Sequence, residues 1–218
     1  MRSWYHDPLW VLASFGAVLA LLGIARWGRA WSPDARRRFL HIGVGSWVLF
    51  VTPRFDHLLW ALVPPAAFLY ANASGRLRSI DPDLASDPAA ARGLWTFPLG
   101  VGLAYVFFWE DPARASLLAG VAALTFADPA AAWVGRRWGQ RRYRGFGFGR
   151  SVEGSLAFLV VALAATAWIA SGAPTDHLPV RIVVGAAAAG ALAEAVTPPG
   201  WDNVTIPIVV AAVFGVLF

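Results

Sequence analysis

The stretch PLWVLASFGAVLALLGIA, residues 8–25, is a run of apolar and small residues without a single charge. A helix needs about 20 such residues to cross the hydrocarbon core of a bilayer. Seven further apolar runs of similar or slightly shorter length follow, at residues 39–53, 57–72, 93–109, 113–135, 152–172, 180–197 and 203–218. The pattern predicts an all-α, polytopic transmembrane helix bundle with seven or eight spans.

The composition agrees with a membrane protein and excludes several chemistries. Of the 218 residues, 58% are hydrophobic and 14% charged, whereas a soluble domain has about 25% charged residues. The eight runs leave no room for a soluble domain, so residues 1–218 are predicted to form a single integral membrane domain. Cysteine is absent and all 18 basic residues are arginine. The absence of cysteine excludes a disulfide scaffold and a thiol nucleophile, and the absence of lysine excludes a P-loop lysine.

The arginines are distributed unequally between the two sides of the predicted bundle. With the N-terminus outside, 14 arginines fall in the cytoplasmic loops and four on the other side. This asymmetry is the one expected from the positive-inside rule. The basic charge therefore indicates topology rather than a nucleic-acid partner, and we expect a multi-pass protein of a prokaryotic cytoplasmic membrane. The cytoplasmic set is Arg26, Arg29, Arg36, Arg37, Arg38, Arg76, Arg78, Arg92, Arg136, Arg137, Arg141, Arg142, Arg144 and Arg150.

Six polar side chains lie within the predicted spans or at their ends, all towards the arginine-rich side. An ionisable residue in a span costs about 2.5–3.5 kcal/mol on insertion scales, so each is a candidate for function. Carboxylates without cysteine partners suit a hard cation such as Mg²⁺, and arginines suit polyphosphate oxygens. The set predicts phosphoryl or nucleotidyl transfer at the membrane surface. Its members are His41, Asp128, Glu153, Glu194, Asp202 and Asn203.

Structural interpretations of these features stay open at this point. Asp128 could be a buried acid that pairs with an arginine at a helix end. His41 could be an interfacial, hydrogen-bonded residue. The run GFGFG at residues 145–149 could bind phosphate, because glycines expose backbone N–H groups, or it could be a flexible linker.

Four motifs in order resemble those of a known family. They are RRFLHIGVG at residues 37–45, DPAAAWVGRRWG at 128–139, GRSVEGS at 149–155 and EAVTPPGWDNVTIP at 194–207. Together they span residues 37–207. The set is similar to the family of dolichol kinase, phytol kinase and the CTP-dependent diacylglycerol kinase of fungi.

The resemblance implies a membrane enzyme that transfers the γ-phosphate of CTP, with Mg²⁺ or another divalent cation, to the hydroxyl of a lipid alcohol at the cytoplasmic face. The acceptor would be an isoprenoid alcohol of the polyprenol, dolichol or phytol type, or diacylglycerol. The implied catalytic residues are Asp128, His41 and Glu153, and the implied metal ligands are Asp128, Glu153, Glu194 and Asp202. The implied nucleotide- and phosphate-binding residues are Arg37, Arg38, Gly135, Gly139, Arg150, Ser151, Gly154 and Asn203.

The chain departs from the family pattern at three positions. Arg38 and Arg150 stand where lysine is usual, which keeps the charge but changes the geometry of phosphate binding. Pro129 follows Asp128 where a small residue is usual. We expect this proline to break the helix and to free backbone groups for a ligand.

Two other functions remain as alternatives. A CTP-dependent lipid cytidylyltransferase would also combine spans with acids at one face. A cation-coupled transporter could use the acids as a relay, although the polar groups gather at one side instead of crossing the midplane. The sequence leaves open the lipid acceptor, CTP against ATP, the number of spans, the oligomeric state and which acid acts as base.

Overall fold

A helical segment occupies each of the eight predicted positions in the computed structural model, which describes residues 5–28, 31–75, 88–110, 113–145, 148–172 and 179–217. The fifth segment consists of two helices joined by a π-helical stretch at Ala123–Ala127. The all-α prediction is therefore confirmed in its main feature. The helices are α1 (His6–Trp27), α2 (Pro33–Val51), α3 (Leu58–Ala73), α4 (Pro88–Phe108), α5 (Ala113–Ala122), α6 (Asp128–Trp138), α7 (Val152–Ser171), α8 (Val180–Val196) and α9 (Asp202–Leu217).

Four helical segments are long and apolar enough to cross a membrane, namely His6–Trp27, Pro88–Phe108, Arg114–Trp138 and Val152–Ser171. Helices α3 and α9 are apolar but shorter, and the first two turns of α2 contain Asp34 and three arginines. Seven or eight spans, an outside N-terminus and a single domain over residues 1–218 stay predictions. Of the arginines used to orient the bundle, Arg2, Arg29, Arg76 and Arg78 lie outside the described residues.

Contacts between distant parts of the chain define two ends of the bundle. At the first end, Asp34 at the start of α2 pairs with Arg136 near the end of α6, and Arg150 pairs with Glu194 near the end of α8. We name this the arginine-rich end. At the opposite end, Asp7 in the first turn of α1 accepts hydrogen bonds from the backbone of the loop before α3. Successive segments therefore run in alternating directions.

Helix α9 lies against α4, α5 and α8, and glycines allow the close approach. A Cβ atom at Gly100 of α4 would overlap the backbone carbonyl oxygen of Asn203, and one at Gly120 of α5 would overlap that of Pro207. Small residues at helix contacts let backbones approach closely in membrane proteins. These contacts fix the start of α9, which carries Asp202, against its neighbours.

The predicted break at Pro129 is not found, because Arg114–Trp138 forms one continuous helical segment. Proline is tolerated in the first turn of a helix, where its missing N–H costs least. Here Pro129 is the second residue of α6, directly after the π-helical stretch. The local change in helical register accommodates the proline.

A small antiparallel hairpin separates α6 from α7, and the all-α prediction did not include it. Strand β1 (Arg142–Gly145) pairs with β2 (Phe148–Ser151), with Arg142 opposite Ser151. The run at 145–149 therefore contributes to both strands, while residues 146 and 147 lie outside the described residues. The hairpin delivers Arg150 and Ser151 to the start of α7.

Candidate active site at the arginine-rich end

Arg150 joins two buried carboxylates that come from different helices. Its Nη1 atom lies 3.0 Å from Oε1 of Glu194, and its Nη2 atom lies 3.2 Å from Oδ2 of Asp202. The exposed fractions of the three side chains are 16%, 4% and 11% respectively. Nη2 also donates to the carbonyl oxygen of Thr197 at 3.3 Å. The guanidinium fork therefore binds the end of α8, the start of α9 and the turn between them.

The electrostatic surroundings keep Arg150 charged. Burial alone lowers the pKa of its guanidinium, but the carboxylates of Glu194, Asp202 and Asp128 raise it more, so the net pKa lies above the ordinary value for arginine. Arg150 is thus a permanent cation between acids. Both of its Nη atoms bind protein groups. A phosphate-binding role of Arg150 stays a prediction.

Asp202 is held by the backbone of its own turn. Its Oδ1 atom accepts hydrogen bonds from the N–H groups of Gly200 at 3.0 Å and Asn203 at 3.1 Å. Gly200 has a φ angle of +89°, a conformation that glycine adopts readily. A side chain at this position would also collide with Arg92. The sequence Pro-Pro-Gly-Trp before Asp202 therefore forms the turn that aims its carboxylate at Arg150.

Asp128 differs from Glu194 and Asp202 because no residue that the structure describes binds its carboxylate. It interacts electrostatically with Asp202, Arg150 and Glu194, yet accepts no hydrogen bond from any residue that the structure describes. Both Asp128 and Asp202 line a cavity that extends into the bundle. Glu194, by contrast, is engaged on both oxygens, by Arg150 and by the hydroxyl of Ser155 at 3.3 Å.

His41 is fixed by the irregular helix that precedes Asp128. Its Nε2 atom lies 2.9 Å from the carbonyl oxygen of Leu124. In a π-helical register, the next donor for that carbonyl would be the N–H of residue 129, and Pro129 has none. The proline therefore frees a backbone group as expected, but His41 binds it rather than a ligand.

This contact also defines which nitrogen of the histidine ring is the donor. A carbonyl oxygen only accepts, so Nε2 of His41 carries the hydrogen, and Nδ1 of the neutral ring is an acceptor. The ring also packs edge-on against Phe97, with centroids 5.0 Å apart, and it lines the same cavity as Asp128. His41 is thus placed beside the acids, as the sequence predicts.

The glycines predicted to contact nucleotide surround Ser151. Its Oγ atom accepts a hydrogen bond from the N–H of Gly154 at 3.1 Å and caps α7. A Cβ atom at Gly135 or Gly139 would come within 3.0 and 2.8 Å of this hydroxyl. The three glycines therefore let the end of α6 approach the start of α7. A nucleotide contact at these residues stays a prediction.

The structure places Glu153 on a different side of α7 from the acid cluster. Its carboxylate accepts the backbone N–H of Arg141 at 3.2 Å, next to the hairpin. Ser155, two positions later, contacts Glu194, and two positions on a helix are about 200° apart. Glu153 and Ser155 therefore face opposite ways. The catalytic and metal-binding roles of Glu153 remain untested expectations.

A positive patch borders the acid cluster. Arg37 and Arg136 both pair with Asp34, the latter at 3.4 Å, and Arg38 lies beside them. Burial and the charges of Arg136 and Arg37 lower the pKa of the Arg38 guanidinium, which Asp34 only partly offsets. Arg37, Arg38 and Arg136 gather around the carboxylate of Asp34 here, and such a cluster of positive charge suits an anionic ligand.

Asn203 anchors α9 to α4. Its Nδ2 atom donates to Oγ1 of Thr96 at 3.2 Å and to the carbonyl oxygen of Gly93 at 3.4 Å. Thr96 in turn donates to the carbonyl oxygen of Gly200 at 2.5 Å. Sequence reasoning missed Thr96, which lies inside an apolar segment without any motif. Its burial at 0% exposure is the signal that only the structure provides.

The cavity beside the acids has a volume of about 320 Å³, within the range of small-molecule sites. Arg37, His41, Asp128, Asp202 and Asn203 line one end. The rest of the wall is almost entirely apolar and comes from α1, α2, α3 and α4. The site therefore combines a charged end with a long apolar interior.

Four helical segments long and apolar enough to cross a membrane, together with this acid–arginine cluster, indicate a membrane protein with an enzyme-like site. The chain is 29% identical over 208 residues to phytol kinase of Synechocystis sp., a match that covers 92% of this chain and 89% of the relative. The resemblance to the phytol and dolichol kinase family is therefore confirmed. No protein-family model matches the chain, and no solved structure matches it.

Proposed function

We propose that this protein is a membrane lipid-alcohol kinase that transfers the γ-phosphate of CTP to an isoprenoid alcohol or diacylglycerol at the cytoplasmic face. The observation that carries the proposal is the free carboxylate of Asp128 at the charged end of an apolar cavity. A lipid alcohol needs both features, an apolar space for its tail and a reactive group near its hydroxyl. The similarity to a phytol kinase supports the same class of acceptor.

The donor groups of the site fit a divalent cation. Asp128, Asp202 and Glu194 bring three carboxyl groups together in a buried place around Arg150, and among the described residues Arg136 also acts on Asp128. Mg²⁺ prefers such oxygen ligands. Asp128 and Asp202 would hold the cation, since Glu194 is engaged by Arg150 and Ser155. When bound, the cation would neutralise charge on the transferred phosphoryl group.

The side chains of the protein itself would carry out the other steps of the reaction. Arg37, Arg38 and Arg136 supply positive charge for the triphosphate, next to the acids. The lipid hydroxyl forms a bond to the γ-phosphorus while the bond from that phosphorus to the bridging oxygen breaks and CDP leaves. Asp128 has two carboxylate oxygens, so it could hold the cation and also accept the hydroxyl proton. His41 positions this region by holding the carbonyl of Leu124.

The test is phosphate transfer by purified protein in lipid nanodiscs, with CTP or ATP labelled in the γ-phosphate and Mg²⁺. Phytol, geranylgeraniol, a long polyprenol and diacylglycerol serve as acceptors. The proposal expects a labelled lipid monophosphate and CDP. A CDP-lipid with released pyrophosphate would show a cytidylyltransferase instead. Absence of CTP binding, together with uptake of a solute into sealed vesicles that depends on a cation, would show a transporter.

A further inference from the structure

The apolar part of the cavity begins at the charged end and continues towards the opposite end of the bundle. On α4, Gly93 and Tyr105 both line it, and twelve residues of helix advance about 18 Å. On α2, His41 and Val51 line it, which corresponds to about 15 Å. The cavity is therefore a channel directed from the acids into the apolar interior.

Aromatic side chains form the far wall of this channel. Phe55 and Tyr105 line the cavity and are 1% and 2% exposed. The hydroxyl of Tyr105 lies 2.8 Å from that of Thr52, which itself donates to the carbonyl oxygen of Val48 at 2.6 Å. The ring of Trp109 packs edge-on against Tyr105, with centroids 5.7 Å apart. The wall is therefore fixed by hydrogen bonds and packing.

We propose that Phe55 and Tyr105 set the maximum chain length of the lipid acceptor, so that the enzyme prefers short, single-chain isoprenoid alcohols. This inference rests on the proposed kinase function. An extended chain advances about 1.2 Å per single bond, since a residue of three backbone bonds spans at most about 3.6 Å, so 15–18 Å accommodates roughly 12 to 15 bonds. Farnesol and geranylgeraniol bracket that length. A long polyprenol would meet the aromatic wall, and within the described part of the chain this channel offers no second space for the other tail of diacylglycerol.

The experiment measures kcat/KM in nanodiscs for farnesol, geranylgeraniol, the next longer prenol and a long polyprenol. The wild-type protein should favour geranylgeraniol over the next longer prenol by at least about tenfold, since unmatched methylenes are rejected by such factors. Tyr105→Ala and Phe55→Ala should reduce this preference to less than about threefold. Ala61→Leu, which adds bulk to another lining position, should move the preference towards farnesol.

Phe158→Leu is the matched control, because Phe158 is a fully buried aromatic residue of the α7–α8 core. It should lower stability without changing the order of acceptors. Equal preferences in the wild type and all variants, with transfer intact, would overturn the chain-length inference and leave the kinase function standing. A wild-type preference for long polyprenol or diacylglycerol would overturn it as well.

Native mass spectrometry gives a readout that does not depend on transfer. The wild-type protein, incubated with an equimolar mixture of prenols, should retain the shorter ones, and Tyr105→Ala should retain longer ones. If no variant transfers phosphate yet this shift is seen, the kinase proposal fails and the channel is supported. If retention does not depend on chain length, the channel inference fails whatever the activity.

Discussion

Replacing Arg150 should destabilise the protein strongly, because it would leave two buried carboxylates without their cation. Arg150→Gln removes the contacts of 3.0 Å to Glu194 and 3.2 Å to Asp202. Breaking a buried ion pair from one side costs about 3–5 kcal/mol. We expect about 3 kcal/mol, since some water reaches Arg150, which is 16% exposed. Arg150→Lys keeps the charge but not the fork, and the loss of one charged hydrogen bond should cost about 1.5 kcal/mol.

The assay is chemical unfolding in a mild detergent, with Arg142→Gln as the control, because Arg142 is an exposed arginine of the neighbouring hairpin. A double-mutant cycle with Glu194→Gln adds a specific test. Removing the carboxylate as well should restore at least about 1 kcal/mol relative to the sum of the single changes. If Arg150→Gln unfolds like Arg142→Gln, or if the two changes are additive, the bridging role assigned to Arg150 is refuted.

Three further changes test the surrounding structure by the same unfolding assay. His41→Ala should cost about 1–3 kcal/mol, because the buried carbonyl of Leu124 loses its donor; an unchanged midpoint would show that the contact is unimportant. Gly100→Ala should destabilise strongly through overlap with the backbone of α9, whereas Gly16→Ala, which has open space around it, should not; equal midpoints would contradict the packing of α4 on α9. Asp7→Asn should cost about 2 kcal/mol, since Asp7 binds two backbone N–H groups, and should leave phosphate transfer by the folded fraction unchanged.

The helical segments could be predicted because their signal is local. Long runs without charge have few alternatives once backbone hydrogen bonds must be satisfied inside the segment. The hairpin at 142–151 could not be predicted in the same way. Its strands are four residues each, the shortest length at which an alternation of apolar and polar residues indicates a strand. Its place is fixed by contacts such as Tyr143 with Ser155, which are visible only in three dimensions.

The sequence could predict that several acids lie together at one end of the bundle, but not which groups each of them contacts. The cost of burying charge identified Asp128, Glu194 and Asp202, and the structure brings these three together around Arg150. The same reasoning also selected Glu153, which faces the hairpin. Composition and spacing give no information on which side of a helix end a first-turn carboxylate will point.

The expectation for Pro129 is correct for the lost backbone donor and wrong for the helix break. Proline does remove a backbone donor, as the sequence indicates. The helix nevertheless continues, because the π-helical stretch accommodates the change and His41 fills the vacant position at Leu124. The compensating partner lies 83 positions away in the chain, so no local pattern could have identified it.

The most direct test of the central proposal is transfer of labelled γ-phosphate to geranylgeraniol by Asp128→Asn in nanodiscs. Glu110→Gln is the control, because Glu110 is an exposed carboxylate that follows α4 at the opposite end of the bundle. We predict that Asp128→Asn folds, retains CTP binding and loses transfer by at least about 100-fold, while Glu110→Gln transfers like the wild type. Wild-type turnover by Asp128→Asn would contradict the assignment of this carboxylate to the reaction.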